Sequence, residues 1–121
     1  MASTKTDNVI WSGQSLTAGG GPTTSSAIDL TDGYGAELGI KITNGSTGPT
    51  TAAQIQIQSS LDNTEWYNVG TPLIGGVANS EVVSWGMISI DPATQFIRLV
   101  ATHPTGQNVT VEADLSELSA L

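Results

Sequence analysis

The sequence predicts an all-β protein: a single-domain antiparallel β-sandwich of jelly-roll type, with about seven or eight strands and an extended N-terminal arm. Three observations predict it. Apolar and polar residues alternate with a period of two through several long runs, as they do in strands with one dry face and one wet face. Short clusters of Gly, Pro, Asn and Asp separate those runs. No long 3.6-residue pattern and no capping box leads into an apolar stretch, so helix signals are nearly absent.

The 121 residues suit one domain. We expect residues 1–22 to be an arm with a Gly-rich segment and residues 23–121 to be the sandwich. Hydrophobic residues make up 38% and a further 14 residues are glycine, an ordinary globular total. Charged residues are only 12%, about half the usual share, whereas Ser and Thr number 29. The surface is therefore built largely of hydroxyl and amide groups, which suits strands and turns.

In chain order, Met1–Asn8 is polar and offers nothing to bury, so a mobile arm is expected. Val9-Ile10-Trp11 is an apolar plug for the domain or for a neighbouring subunit. Ser12–Ser26 centres on Gly19-Gly20-Gly21-Pro22 and reads as coil in its second half, with Gln14–Thr17 a candidate short strand. Ala27–Leu30 is a brief strand, and Tyr34–Thr43 a long one with Ala36, Leu38, Ile40 and Ile42 facing in. Asn44–Thr50 is a loop.

Thr51–Val69 reads as a hairpin and is the stretch around which the chain is organised. Ala53, Ile55, Ile57 and Ser59 point inward, and Ala52, Gln54, Gln56 and Gln58 outward. Asp62 and Asn63 supply turn chemistry, bonding their own backbone and tolerating left-handed geometry. One of Trp66 and Tyr67 must then enter the core, Trp66 being placed beside Ile55 and Ile57. Leu73 and Ile74 suit a short strand. In Glu81–Ile90, Val83, Trp85 and Met87 form one face, and Val82, Ser84, Gly86, Ile88 and Ile90 the other. Apolar groups on both faces suggest cover on both sides, by the core and by a partner. Phe96–Thr102 places Ile97, Leu99 and Ala101 on one face, and the last strand places Val109, Val111, Ala113 and Leu115 on one face. Ser116–Leu121 extends that strand or docks elsewhere.

Net charge is −8, from 3 basic and 11 acidic residues. Nucleic-acid phosphates and anionic membranes are thereby poor partners, and a positively charged protein surface a better one. There is no cysteine, which removes disulfides, thiolate metal sites and cysteine nucleophiles. No apolar run approaches the roughly 20 residues of a spanning helix. No signal-peptide core is visible in MASTKTDNVIW, so synthesis in a host cytosol without export is expected.

Chemistry is sparse. His103, the one histidine, lies in a His-Pro-Thr-Gly turn and reads as a solvated turn residue, not a catalytic base. The carboxylate pairs Asp62 with Glu65 and Glu112 with Asp114 suit surface solubility better than glycoside cleavage. Asp62, Asn63 and Glu65, or Asp29 with Asp32, fall short of the oxygens calcium takes. We expect no catalysis, no cofactor and no metal. Trp66 with Tyr67 offers a stacking platform to a sugar if one of them is exposed.

Gln56–Val69 (QIQSSLDNTEWYNV) resembles a pattern of small β-sandwich accessory proteins of tailed bacteriophage virions: an alternating strand, Ser-x-Asp-Gly/Asn, two residues and Trp. Phe96–Leu115 (FIRLVATHPTGQNVTVEADL) resembles the ending of the same proteins. Asn63 stands where the pattern often has Gly. Together the two stretches cover about a third of the chain. The resemblance is to capsid cement (decoration) proteins. It implies a virion location on the outer capsid, with the major capsid protein and further copies of the chain, as a homotrimer, for partners. The contact surface expected for that role is Val9, Ile10 and Trp11 with Val83, Trp85 and Met87. The rival reading is a carbohydrate- or receptor-binding sandwich of a phage tail or adhesin, which requires exposed aromatic and amide groups around Trp66, Tyr67 and Gln58.

Overall fold

A computed structural model describes residues 3–120. The chain forms nine strands: β1 (Thr4–Leu16), β2 (Thr23–Thr24), β3 (Ile28–Asp29), β4 (Ala36–Asn44), β5 (Gln54–Ser60), β6 (Tyr67–Ile74), β7 (Val82–Ile90), β8 (Phe96–Thr102) and β9 (Val109–Ala120). Among the described residues there is no helix. One sheet runs β1-β9-β4-β7 and the other β2-β8-β5-β6, with β3 also on β8. Every pairing is antiparallel.

Four of these pairs are nested. The β5–β6 hairpin is innermost, and β4–β7, β2/β3–β8 and β1–β9 enclose it in turn. A long hairpin folded over on itself in this way is a jelly roll, as the sequence predicts. The count reaches nine because β2 and β3 share one edge position, facing successive parts of β8. Ser25 separates them yet keeps the ladder closed. Its N–H donates to the Leu99 carbonyl at 2.9 Å, and its hydroxyl accepts from the Leu99 N–H at 2.9 Å.

The inward faces are the expected ones. Leu38, Ile40 and Ile42 of β4 and Val109, Val111, Ala113 and Leu115 of β9 are buried, as are Ile55 and Ile57 of β5 and Ile97, Leu99 and Ala101 of β8. Each of the larger side chains contributes roughly 1.5–3 kcal/mol by leaving water. At the end of β5 the buried residue is Ser60 instead of Ser59, its hydroxyl held by Asp62.

The N-terminal segment differs from the expected free arm. Thr4–Leu16 is extended but lies along β9 as an edge strand, from Thr4 opposite Ala120 to Leu16 opposite Val109. The sandwich thus begins with β1, not after Pro22. Trp11 and Leu16 enter the core. Alternation did not reveal this strand because its register shifts at Thr4/Lys5, Val9/Trp11 and Trp11/Gln14. Gly13, at φ 67°, supplies the left-handed backbone the last of these uses. Met1 and Ala2 of the expected arm, and Leu121 of the chain ending, lie outside the described residues.

Two loops are tied down by polar groups. The β5–β6 turn is built as predicted: Asp62 Oδ1 accepts from the N–H groups of Thr64 and Glu65, both at 2.9 Å, and Asn63 sits at φ 62°. His103 is more than a solvated turn residue. Its Nδ1 donates to the Thr17 carbonyl at 2.8 Å, and its Nε2 shares a hydrogen bond with the Thr23 hydroxyl at 2.6 Å. This pins the β1–β2 connection across the end of β8. A Cβ at Gly20 would stand 2.5 Å from His103 Nδ1, which is why the triple glycine can lie so close.

Candidate interaction surface

The most distinctive surface is the flank where β6 and β7 end their respective sheets. The connection Gly75–Glu81 crosses between the sheets there. Asn44 Nδ2 bonds the Ala78 carbonyl at 2.9 Å, and Gly48 N–H bonds Asn79 Oδ1 at 2.9 Å, fixing that crossing to the β4–β5 loop.

Directly paired residues share a face of a sheet. Val69 is opposite Ile57, and Leu73 opposite Ile55, so both point inward. Ile55 and Ile57 are buried, yet Val69 is 46% exposed. Likewise Val83 and Trp85 of β7 pair with the buried Ile42 and Ile40 but are themselves only half-buried. The inner faces of both edge strands are incompletely covered along this side. Tyr67, Ile74, Val77, Val82 and Met87 are exposed on or between these strands, Ile74 (opposite Gln54) and Val82 (opposite Thr43) on the outer faces of the two sheets.

The six expected contact residues divide. Val83 and Trp85 share the inner face of β7, but Met87 does not. Leu38 pairs with Ile88 and Ile40 with Trp85, so Gly39 faces both Gly86 and Met87. This bulge reverses the alternation and hands the inner face to Ile88 and Ile90. Met87 adopts φ 55° and is thrown outward, 79% exposed. On β1, Val9 is exposed, Ile10 is half-buried against the core, and Trp11 is in the core at 7% exposure. β1 and β7 are opposite edges of one sheet, and of the six residues only Val9, Trp11 and Trp85 line a common hollow.

Between them, a shallow hollow of about 440 Å³ crosses the wet face at Gly39, rimmed by Val9 and Trp85. Its wall carries Glu112 and Asp114, the pair weighed for glycoside chemistry. Glu112 meets Lys41 at 3.4 Å. Partial desolvation, then the charge and hydrogen bonding of Asp7 and the charge of Glu112, hold the Asp114 carboxyl above its ordinary range. The Asp62 carboxyl shifts the other way, lowered chiefly by the Glu65 and Thr64 N–H groups. That oxygen serves the turn.

Trp66 did not take the expected core place beside Ile55 and Ile57. It is half-buried, and the Arg98 guanidinium lies 4.2 Å from its ring centroid. Arg98 Nε donates to Gln58 Oε1 at 2.8 Å, and Gln58 Nε2 to Asn68 Oδ1 at 3.0 Å. Tyr67 is 57% exposed, so neither aromatic fills the core. The pull of Arg98 on the electron-rich ring face, not burial, fixes Trp66.

This geometry has counterparts among solved structures. The chain is similar to the SPBc2 prophage-derived protein YomS, with TM-score 0.57 and 16% identity over 96% of each chain. It is similar to the infectious bursal disease virus VP2 subviral particle, with TM-score 0.56 and 8% identity over 94% of this chain, which spans only 32% of the VP2 chain. It is also similar to Bacillus endospore appendages, described as disulfide-linked pili, with TM-score 0.52 and 9% identity over 100% of this chain and 93% of that one. At these identities the likeness is one of fold. No family model matches the sequence, and no curated protein matches it.

Of the exposed residues on the β6–β7 flank, Val69 and Val77 were not singled out by the sequence reading, Tyr67 was named only as a sugar platform and Ile74 only as part of a short strand. A signal was present: between Trp66 and Ile90 the only charged residue is Glu81.

Proposed function

We propose that the protein is a virion structural protein: a capsid cement protein that binds the outer capsid lattice, bridges neighbouring capsomers and works by contact without catalysis. The observation that carries this reading is the β6–β7 flank, whose two strands carry no charge and which holds six of the nine exposed large apolar side chains among the described residues. Exposed apolar groups gathered along one side of a small protein mark a docking site. The fold, shared with a prophage-derived protein, a virus particle protein and a pilus subunit, supports a role in assembly. The partners are the major capsid protein and further copies of the chain, as a trimer, and the location is the outer face of the virion after synthesis in the host cytoplasm. Many weak contacts on one lattice add up to firm attachment. Co-sedimentation with empty capsids of the parent phage tests it. Attachment with a raised shell-melting temperature is expected; a protein that stays in the supernatant at saturating concentration rejects it.

One constellation favours a second reading, a carbohydrate- or receptor-binding module. Arg98 over Trp66, with Gln58 and Asn68 in line and Tyr67 exposed beside them, is an aromatic and amide cluster of the kind sugars use. Binding on a glycan array that Trp66→Ala abolishes would select it; no binding to any glycan would remove it.

A further inference from the structure

The flank just described has an identifiable occupant. Six of the nine large apolar side chains that are exposed among the described residues lie on it: Tyr67, Val69, Ile74, Val77, Val82 and Met87. Both strands are sheet edges, so each presents a row of backbone N–H and C=O groups with no partner strand. Edge strands are usually guarded by charge. Here β6 and β7 carry none, and Glu81 between them is turned to its own loop, accepting from the Ala78 N–H at 3.1 Å.

The missing charge matters because of the chain's own balance. With 11 acidic residues against 3 basic ones, two copies meeting on the outer face of β9 bring Glu112 and Asp114 of each face to face. Like-charge juxtaposition across an interface costs several kcal/mol. A partner of different sequence imposes no such condition; another copy of this chain does. Resting on the virion reading above, we propose that this flank joins copies of the chain to one another, β6 of one copy against β7 of the next. The two edges differ, so each contact is heterologous, and copies so joined form a ring where their rotation closes and a filament where it does not. Half-buried Val83 and Trp85 complete their burial in that contact, and Met87, turned out by the bulge, reaches the neighbour.

The test is the native mass of the full chain at about 100 µM, above the dissociation constant of an ordinary specific contact, for wild type, Val69→Glu on β6, Val82→Glu on β7, and both together. Thr24→Glu on the opposite flank is the control, and circular dichroism with thermal melting confirms that each variant folds. Wild type and the control are expected to be oligomers, and the three flank variants single chains, with association weakened at least 100-fold. Mixing the two single variants should restore a dimer, because one intact β6 edge then meets one intact β7 edge. A monomeric wild type, an oligomer that survives both substitutions, or a mixture that stays monomeric overturns the proposal. Capsid co-sedimentation of the same samples separates this outcome from the function. A wild type that is a single chain yet binds capsids rejects the self-contact alone; a wild-type oligomer that binds none rejects the cement role alone.

Discussion

The two flanks of the sandwich solve the same problem in opposite ways. Each ends two sheets and must deal with unpaired strand edges. At the β1 side, Trp11 and Leu16 are driven into the core, three register shifts interrupt the outer edge, and Lys5 and Asp7 place charge on it. His103, Thr17 and Thr23 then seal the corner. Bulges and charge are the devices by which natural sheets discourage strand addition. At the β6–β7 side, the strands carry no charge, inward-facing Val69 is half open to water, and the interruptions are Pro72, the β6 register shift beside Gly70 and the Met87 bulge. The first flank is closed within the chain; the second is left partly uncovered, the surface proposed above to meet another copy.

Four measurements break or sharpen that contrast. The largest effect belongs to the closed side. Trp11→Ala should cost about 3–5 kcal/mol in denaturant unfolding, as large-to-small core changes do, whereas Val82→Glu should change monomer stability by less than about 0.5 kcal/mol. Equal costs would erase the distinction. Next, His103→Ala removes two hydrogen bonds and should cost about 1–2 kcal/mol, with faster proteolysis in the Thr17–Pro22 connection. An unchanged cleavage rate would show that the corner is held by packing alone.

A smaller effect, of opposite sign, is expected at the bulge. A left-handed non-glycine residue costs roughly 1–2 kcal/mol, and glycine's extra entropy offsets part of that relief. Met87→Gly should therefore stabilise the isolated chain by about 0.5 kcal/mol while weakening its association. Loss of stability would mean that the Met87 side chain packs within its own chain.

The last concerns pH and is read by direction. Asp114 is held above its ordinary value, so the folded chain binds that proton more tightly than the unfolded one. Stability from this group falls as pH rises from about 4, the unfolded value, through the higher folded value, and stays lower at neutrality. Asp114→Asn should raise the melting temperature at neutral pH, with the gain vanishing in acid. Asp62, whose carboxyl is lowered, works in reverse. Its contribution is present above about pH 4 and lost as pH falls through the folded value, so Asp62→Asn should destabilise at neutral pH. The same response from both variants would contradict these opposite shifts.

The core strands were legible because one period governs them. In β4, β5, β8 and β9 alternation meets a single buried face, so Leu38, Ile55, Leu99 and Val111 could be named from the sequence. The Asp62-Asn63 turn was legible for a local reason, since its hydrogen bonds stay within a few residues. What failed depended on distant partners. β1 is defined by β9, and its register shifts hide the pattern. Trp66 is held by Arg98, 32 positions further on (98 minus 66). Met87 changed face because one inserted residue reverses every side chain beyond it. The β6–β7 flank was half visible: the apolar residues on both faces of Glu81–Ile90 suggested a partner, but β6, read as a strand, was not read as exposed apolar surface because a gap in charge is not a periodic signal.

The nested pairing also sets an order of events during synthesis. The innermost hairpin joins neighbours in sequence and can close early, but the outermost pair joins the two ends of the chain. Ser119 Oγ donates to the Thr4 carbonyl across 115 residues. Contacts of such sequence separation form slowly, after the loop entropy has been lost. While β9 is still inside the ribosome, β1 has no partner, and Trp11 and Leu16 stand in water among other nascent chains. A chain cut short before β9 would therefore be not a slightly frayed sandwich but one lacking two of the four strands of a sheet.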